Sequence, residues 1–476
     1  MSRRPNVLLI YADDLGVGDV SCLNPGSKVH TPHMDRVAAG GVACTDAHST
    51  SSVCSPSRYS LLTGRYAFRT RLKKGVLSGW SEPLLQRDEE TLGSLLGRHG
   101  HRTAVIGKWH LGQAWPLPRS AERDAMDWHP EDPDWGPPLT EGAHTAGFDE
   151  SCVLPGSLDM APYCLLDGGE VAVKRRRVTP GAPYPDFHRP GWASEGFTTR
   201  DCLGGFVARA EDFLDRHAAE RPDQPFFLYF PTTSPHTPHT PRPEFVGQSD
   251  LGPYGDLIRE HDAAVGRLLA RVAAHGWEDD TIVVVTSDNG AHARDPKRGV
   301  DFLGDYGHRA NHVYRGQKSD CWDGGHRVPF LVRWPAGLPA GVACDAPFSQ
   351  ADLYATIRRV LGPDADPEHL DGRDVLPLWR GEALPEAPLV HHSYEGHFAL
   401  RLGRWKLVDC RGSGGWSLPE GDAPEGSPPG QLYDLRGDAG ERENLWDAEP
   451  AVRERLLAAL AAVKARDTPA RTREPL

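Results

Sequence analysis

Five continuous apolar runs, each of a length that suits a β-strand, are distributed over the first 335 residues. In chain order they are NVLLIYADD (6–14), TAVIGKWH (103–110), FFLYF (226–230), TIVVVTSDNG (281–290) and VPFLVRWP (328–335). Because these runs do not alternate apolar and polar residues, they are typical of strands buried on both faces of a parallel sheet. Helical patterns that end at glycine lie between them, at 89–100 and 257–276. The sequence therefore predicts an α/β fold.

The composition of the chain changes in two places. Residues 113–200 are rich in proline, glycine and tryptophan, which predicts long loops that form the walls of a pocket. Beyond residue 385, FALRLGRWKLVDC (398–410) and GQLYDL (430–435) indicate antiparallel strands, and 451–466 indicates an amphipathic terminal helix. We therefore predict a main α/β domain over residues 1–385, which carries the chemistry, and a small α+β subdomain over 386–476.

The charge of the chain limits its partners. It has 53 basic and 66 acidic residues, a net charge of −13, which argues against nucleic acid and against an anionic membrane as partners. An anionic substrate would therefore need a locally basic pocket. The nine cysteines follow no spacing pattern, so we expect no disulfide framework. The first apolar run ends at Asp13 and is too short for a signal peptide, which predicts a cytoplasmic protein as the sequence stands, or an exported one if a leader was removed.

Polar residues cluster where the predicted strands end, the place where α/β proteins bind ligands. These clusters are Asp13 with Asp14, Lys108 with His110, His236 with His239, and Asp288 with Asn289. A single aspartate in such a place is most often a turn or cap residue. Three converging carboxylates and an amide oxygen, however, would need a cation, and oxygen ligands favour Ca²⁺ or Mg²⁺ over Zn²⁺. The two histidines have a zinc-like spacing, but the neighbouring prolines argue against a helix there.

The stretch SSVCSPSRYSLLTGRY (51–66) places Cys54 at the start of a short helical pattern that stops at Gly64. A cysteine is more often a small buried residue than a nucleophile. A helix N-terminus and the nearby Arg58 would nevertheless favour an anion, as in a cysteine hydrolase with His110 or His236 as the base. That interpretation leaves the acidic cluster without a role.

The motif CSPSR (54–58) matches C-x-P-x-R, and with it the chain resembles the type I sulfatases, in which this cysteine is oxidised to formylglycine (3-oxoalanine). PNVLLIYADDLGVGD, GKWHLG, FFLYFPTTSPHTPH, VVTSDNG and GQKSDCWDGGHRVPFLVRWP also match, so the resemblance covers almost the whole chain. It is strongest to the branch of arylsulfatase A and N-acetylgalactosamine-6-sulfatase. The resemblance implies an alkaline phosphatase-like fold: a large, mixed, mostly parallel sheet flanked by helices, with a small C-terminal α+β subdomain.

The resemblance also implies a set of site residues. One Ca²⁺ per chain would be held by Asp13, Asp14, Asp288, Asn289 and the modified Cys54. The residues implied in catalysis are Cys54, Arg58, Lys108, His110, His236 and Lys318. Arg58 would hold the formylglycine hydrate, the two lysines would bind sulfate oxygens, His110 would act on the hydrate hydroxyls, and His236 would face the leaving group. A formylglycine-generating enzyme would be the partner during maturation.

The predicted activity is the release of inorganic sulfate from a sulfated small molecule or oligosaccharide, of the hexosamine or galactose 6-sulfate type. Two alternatives stay open at this point. One is a formylglycine-dependent phosphonate monoesterase or phosphodiesterase. The other is a non-catalytic protein that binds sulfated glycans and keeps an unmodified Cys54. Residues 113–200 and four histidines are candidates for substrate contacts, although each is as readily structural: His308, His312, His391 and His392.

Overall fold

A mixed sheet of eleven strands runs through the computed structural model, which describes residues 4–116, 135–362 and 369–467. The strands, in chain order, are β1 (Asn6–Asp13), β2 (Val42–His48), β3 (Arg102–Lys108), β4 (Glu150–Leu154), β5 (Leu166–Asp167), β6 (Glu170–Val171), β7 (Arg176–Thr179), β8 (Gly191–Ser194), β9 (Phe226–Pro235), β10 (Thr281–Ser287), β11 (Arg294–Asp295), β12 (Val300–Asp301), β13 (Arg327–Arg333), β14 (Val342–Cys344), β15 (Phe348–Ser349), β16 (Leu389–His392), β17 (Phe398–Leu402), β18 (Trp405–Val408) and β19 (Gln431–Asp434). The α-helices are α1 (Pro32–Ala39), α2 (Cys54–Thr63), α3 (Leu92–Arg98), α4 (Cys202–Glu220), α5 (Gly252–Ala274), α6 (Phe302–Tyr306), α7 (Asp323–His326), α8 (Asp352–Leu361), α9 (Leu376–Trp379) and α10 (Pro450–Ala465).

The order of the main sheet is β14-β2-β13-β10-β1-β9-β3-β4-β5-β6, with β15 also paired to β2. The five central strands, from β10 to β4, are parallel to one another. The run at 328–335 forms β13, which is antiparallel to both of its neighbours. A strand buried on both faces has the same apolar pattern in either direction, so the sequence pattern could not distinguish a parallel from an antiparallel strand. The mixed, mostly parallel sheet that the sequence predicts is confirmed.

Strand β1 shows why the apolar runs do not alternate, because both of its faces are buried. Val7, Leu9 and Tyr11 face one core with α2, α3 and α8, whereas Leu8 and Ile10 face a second core with α1, α4 and α5. Helices therefore cover both sides of the sheet, and its carboxyl edge is left for the loops that carry polar residues.

The C-terminal region contains a separate antiparallel sheet in the order β16-β17-β18-β19. Leu456 and Leu460 of α10 pack against Leu400, Leu407 and Leu432 of this sheet. The antiparallel strands and the terminal helix that the sequence predicts are therefore present; the domain boundary after residue 385 stays a prediction. Within the described residues, no helix is long and apolar enough to cross a membrane.

Candidate active site

The pairing of β1 with β10 brings the acidic residues of the two strand ends together. Ala12 lies opposite Ser287, so the next residues of the two strands meet at the carboxyl edge. The backbone N–H of Asp14 donates to Asp288 Oδ1 at 3.1 Å, and Asn289 Nδ2 donates to Asp14 Oδ1 at 2.7 Å. Asp14 has a left-handed backbone conformation with φ of 66°, which turns the chain as it leaves the strand. Asp13, Asp14, Asp288 and Asn289 are all buried.

Cys54 is the first residue of α2 and lies against this acidic edge. Its Sγ is 3.7 Å from Asp13 Oδ1, and its side chain is buried. The helix it begins is buried along its whole length and ends at Gly64, whose φ of 69° reverses the chain. Burial raises the pKa of the Cys54 thiol to about 12, despite the charges of Lys108 and Lys318 that oppose it. The thiol is therefore protonated at neutral pH, which argues against a cysteine hydrolase that uses a thiolate.

Three buried cations balance the three carboxylates. Arg58 donates to Asp288 Oδ2 through Nη2 at 2.7 Å and through Nε at 3.1 Å. Lys108 Nζ lies 2.7 Å from Asp13 Oδ2, and Lys318 Nζ lies 2.8 Å from the carboxylate of Asp14. Burial favours a raised pKa for Asp13, but the positive charges of Lys108, His236 and Arg58 outweigh it and hold the pKa well below its usual value.

The two histidines that the sequence predicts flank the cluster, each with one ring nitrogen fixed by a carbonyl. His110 Nε2 donates to Leu77 O at 2.7 Å, whereas its buried Nδ1 has no hydrogen-bond partner among the described residues. Burial and the charges of Lys108 and Arg58 lower the pKa of His110 well below its usual value, so Nδ1 is a free acceptor. His236 donates from Nδ1 to Thr237 O at 2.6 Å and presents Nε2 at 3.7 Å from Asp14 Oδ2.

The donor set fits a hard cation. One ligand atom each from Asp13, Asp14, Cys54 and His236 lies within 4.8 Å of the others, so the group combines two carboxylate oxygens with a sulfur and a nitrogen; the hard ligands are the oxygens. The Oδ1 atom of Asn289 is buried and has no hydrogen-bond partner among the described residues, which is costly unless the oxygen has another ligand. An acidic oxygen set with one free amide oxygen suits Ca²⁺ or Mg²⁺.

These features converge on one chemistry: a buried residue at a helix start, a carboxylate cluster that fits a cation, and cations that can bind an anionic ester. The family model described as Sulfatase matches residues 5–363. The chain belongs to the sulfatase family. The resemblance in the sequence is thereby confirmed, and the protein is a sulfuric ester hydrolase.

Individual relatives of this sulfatase match it over nearly its whole length. An N-acetylgalactosamine-6-O-sulfatase of Bacteroides thetaiotaomicron is 31% identical over 98% of this chain and 94% of its own. Human arylsulfatase A is 32% identical over 94% of this chain and 84% of its own. A solved sulfatase structure from work on glycosaminoglycan metabolism by Bacteroides thetaiotaomicron has a TM-score of 0.82 and 29% identity, covering 98% of this chain and 100% of that one.

The sulfatase structure brings together all ten side chains predicted from the sequence, and it adds one that the sequence analysis missed. Ser157 Oγ accepts from Lys108 Nζ at 3.1 Å and lies 3.5 Å from His236 Nδ1. It belongs to the proline- and glycine-rich segment at 113–200, where a lone serine carries no signal of its own.

Most of the other histidines singled out in the sequence are tied to structural partners. His239 Nδ1 lies 3.3 Å from the Tyr184 hydroxyl, in a cavity beside the cluster. His308 bonds Asp19 at 2.7 Å, and His391 donates from Nδ1 to Ser49 O at 2.8 Å. His392 is buried against the aromatic side chains of Phe68 and Phe398. These contacts favour the structural interpretation for His308, His391 and His392.

Proposed function

We propose that this sulfatase removes the 6-O-sulfate of a hexosamine or galactose unit, and that residue 54 acts as formylglycine made from Cys54. The observation that carries the proposal is the position of Cys54. Its thiol is buried and protonated, yet it lies at the meeting point of an acidic cluster and three buried cations. An unmodified thiol has no evident use there, whereas an aldehyde hydrate does. The motif CSPSR supports the same modification by a formylglycine-generating enzyme.

The acidic residues would hold the metal ion. Asp13, Asp14, Asp288 and Asn289 supply oxygen ligands, and the side chain of residue 54 completes the set. A bound calcium ion supplies positive charge that polarises the sulfate group and orients the oxygen of residue 54. Arg58 keeps Asp288 in place through two hydrogen bonds, so the ligand geometry does not depend on the ion alone.

The remaining residues bind the ester and move protons. Lys108 and Lys318 would bind the sulfate oxygens, since both ammonium groups reach the edge of the carboxylate cluster where the ester must lie. If residue 54 is oxidised and hydrated, one hydroxyl would take the sulfuryl group as the bond from sulfur to the sugar oxygen breaks. The second hydroxyl would then lose its proton and become the aldehyde C=O as the bond from carbon to the sulfate oxygen breaks, which releases inorganic sulfate, and water would restore the hydrate. His110 has the free Nδ1 acceptor that can take the proton of that second hydroxyl. Lys318 can give the departing sugar oxygen its proton, and His236 can do so only when its Nε2 is also protonated, which the lowered pKa of this buried ring disfavours.

The sugar substrate is proposed from the relatives and from the charge. One relative is an N-acetylgalactosamine-6-O-sulfatase that matches this chain almost end to end. The carboxylates balance the charges of Arg58, Lys108 and Lys318, so the net positive charge that an anionic ester needs would come from the metal ion that the carboxylates would hold. We also propose that the catalytic unit ends near residue 385 and that the subdomain over 386–476 supports it through the loop that carries Lys318, because Trp416 N donates to Ser319 Oγ at 2.9 Å.

Two measurements test the proposal. Mass spectrometry of the peptide that contains residue 54 is expected to show conversion to formylglycine after expression with a maturation system. The converted protein is expected to release sulfate from N-acetylgalactosamine 6-sulfate or galactose 6-sulfate faster than from the 4-sulfate isomers. A higher rate on an aryl phosphate diester or a phosphonate monoester would contradict the proposal, and a persistent thiol would favour a binding protein without catalysis.

A further inference from the structure

Lys318 lies in a β-turn with a strained backbone. Asp320 N donates to Gln317 O at 3.0 Å, so residues 317–320 form a hydrogen-bonded turn with Lys318 in its second position. Ser319, in the third position, has φ of 85°, a conformation that favours glycine. A serine keeps this conformation only where the surrounding structure holds it there. The orientation of Lys318 therefore depends on the groups that hold the turn.

Two backbone hydrogen bonds fix this turn beside residue 54. Lys318 N donates to Ala291 O at 3.1 Å, in the loop that follows β10. Ser319 N donates to Ser52 O at 2.8 Å, two residues before Cys54. The turn therefore lies against both the loop that carries metal-ligand candidates and the segment that precedes α2. A change in its shape would move the Lys318 ammonium group relative to residue 54.

The carboxylate of Asp320 holds the turn from its buried side. Its Oδ2 accepts from Gln317 N at 3.0 Å and its Oδ1 accepts from Ser319 Oγ at 3.4 Å. The residue is fully buried, and among the side chains that the structure describes no lysine, arginine or histidine forms an ion pair with it. A buried carboxylate without a cation is costly unless hydrogen-bond donors surround it. Asp320 and the donors of the turn therefore depend on each other.

The same carboxylate also binds the loop that follows β18 in the C-terminal region. Ser417 donates to it twice, from N to Oδ1 at 3.2 Å and from its hydroxyl to Oδ2. Gly415 of this loop packs so closely on the turn that a Cβ there would lie 2.3 Å from Ser319 O. Asp320 is thus shared between the turn and the loop, which fixes the position of Lys318 relative to the C-terminal region.

We propose that Asp320 is a positioning residue, which holds the Lys318 ammonium group where it binds the ester by closing the strained turn and joining it to Ser417. The inference rests on the proposed function, which assigns Lys318 to the sulfate oxygens. It goes further by naming a residue that acts on the site without touching the substrate. It also gives the loop after β18 a role in sulfate binding. Without the carboxylate, the turn is expected to relax and to carry Lys318 out of place.

Binding of inorganic sulfate tests the inference without turnover, by calorimetry with calcium on the full-length Cys54→Ala protein. Lys318→Ala removes the ammonium group and is expected to weaken binding by at least about tenfold. Asp320→Asn keeps the size of the side chain but turns an amide N–H toward a donor, and it is expected to weaken binding by about tenfold. In the Lys318→Ala background, Asp320→Asn is expected to change the affinity by less than about twofold, because a residue that acts through Lys318 has no further effect once Lys318 is gone.

Two further positions serve as control and as second test. Asp352 is also buried, and its carboxylate accepts from Ser349 N and Arg373 N, both at 2.8 Å. Asp352→Asn is therefore the matched control and is expected to leave sulfate affinity unchanged. Ser417→Ala removes one donor to Asp320 at an exposed residue, where folding is expected to be kept. It is expected to weaken sulfate binding by about threefold, and Ser417→Thr, which keeps the hydroxyl, is expected to restore it.

The outcomes separate this inference from the proposed chemistry. An effect of Asp320→Asn that is as large without Lys318 as with it would overturn the positioning role, because a general loss of structure acts in both backgrounds. Unchanged sulfate affinity in both Asp320→Asn and Ser417→Ala would overturn it as well. If the dependence on Lys318 is found but the converted protein releases no sulfate from a sugar ester, the proposed function fails and the positioning role stands.

Discussion

Two buried clusters in this sulfatase each contain three carboxylates and three cations. The nucleophile cluster consists of Asp13, Asp14, Asp288, Arg58, Lys108 and Lys318, beside Cys54. The sheet-linking cluster consists of Asp46, Asp323, Glu441, Arg327, Arg401 and Lys406, with the rings of His48, His326 and His391. It joins the edge of the main sheet to the C-terminal sheet.

The two clusters differ in which buried polar atoms beside the charges lack a hydrogen-bond partner. In the sheet-linking cluster, Lys406 lies 2.7 Å from both Asp323 and Glu441, and Arg401 lies 2.6 Å from Asp46. In the nucleophile cluster, Asn289 Oδ1 and His110 Nδ1 are buried without a hydrogen-bond partner among the described residues. Unpartnered buried atoms occur in both clusters, with His391 Nε2 as an example in the sheet-linking cluster. The nucleophile cluster differs because the free amide oxygen of Asn289 lies beside its carboxylates, which together form a set of oxygen ligands for an ion.

The histidines of the sheet-linking cluster show why proximity alone does not make a metal site. Ligand nitrogens of His48, His326 and His391 lie within 4.8 Å of one another. The rings of His326 and His391, however, stack at 3.9 Å with only 7° between their planes. Because the lone pair of an imidazole nitrogen lies in the ring plane, two stacked rings cannot both direct one at the same ion. The nucleophile cluster has no such obstacle.

The largest expected effect comes from removing Cys54, the precursor of the proposed nucleophile. Cys54→Ala is expected to lower turnover of a sulfated sugar by at least about a thousandfold, because no other group can take the sulfuryl group. The thermal midpoint is expected to stay close to that of the unchanged protein, since one small buried side chain replaces another. Cys164→Ala, at another buried cysteine, is the control and is expected to keep full activity. Substantial turnover by Cys54→Ala would refute the role of residue 54.

Lys108 and Lys406 form a matched pair across the two clusters. Both side chains are completely buried, and each lies 2.7 Å from a carboxylate. Lys108→Met is expected to reduce kcat/KM by at least about a hundredfold, since one sulfate-binding charge is lost. Lys406→Met is expected to destabilise the fold by about 3–5 kcal/mol, because it leaves two buried carboxylates with less compensation.

Denaturant unfolding and steady-state kinetics on both variants measure this difference. The exposed Lys297→Met serves as the control for both assays. If the molecules of Lys406→Met that remain folded lose activity as strongly as Lys108→Met, the two clusters are not separate in function.

Adding a metal ion tests whether the unpartnered acceptor atoms of the nucleophile cluster bind it. The readout is stability, so the test does not depend on enzyme activity. At a Ca²⁺ concentration about a hundred times its dissociation constant, the free energy of unfolding is expected to rise by about 2.7 kcal/mol. Calorimetric melting with calcium and with a chelator measures the difference. Asn289→Ala removes the unpartnered amide oxygen and is expected to shrink the calcium-dependent shift. The same shift in both proteins would show that Asn289 is not a ligand.

The last prediction concerns pH, and its effect is small for each pH unit. Burial lowers the pKa of His392, beside the sheet-linking cluster, to about 4. The pKa of a histidine in the unfolded chain is about 6.5. Between pH 6.5 and pH 4 the unfolded chain therefore binds a proton at His392 that the folded chain does not. Stability is therefore expected to fall as pH decreases through this window, by about 1.4 kcal/mol per pH unit for this group. Urea unfolding between pH 4 and pH 7 measures it, and His392→Phe is expected to reduce the slope.

Local patterns were enough to predict the elements with strong apolar signals. Strand β1 matches its predicted run, and helix α5 covers most of the predicted one but begins at Gly252, five residues before the predicted start. Burial on both faces of a strand, or along one stripe of a helix, gives a regular apolar pattern in the sequence. Helix α3 begins at Leu92 and not at the predicted Glu89. Thr91 caps it by accepting from Ser94 N, and Glu89 pairs with Arg65 instead.

The residues of the site likewise fall into those that the sequence could predict and those that it could not. Those at strand ends and in the CSPSR motif could be predicted, because topology carries strand ends to a common edge and the motif has a fixed spacing. Ser157 could not, since it comes from a loop without periodicity and meets the site only through tertiary folding. The sequence also could not predict the direction of β13, because its apolar run fits a parallel or an antiparallel strand.

The position of β1 has a consequence for biosynthesis. This strand is made first, yet its partners are β9 and β10, and Asn6 pairs with Thr281. At 5–20 residues per second, the ribosome needs roughly 15–55 seconds to reach that partner. During this interval the nascent chain cannot close the centre of the sheet, and the segment that becomes α2 has no core to enter. Cys54 becomes buried only afterwards, so the proposed formylglycine-generating enzyme would have a delay, set by the topology, in which to reach it.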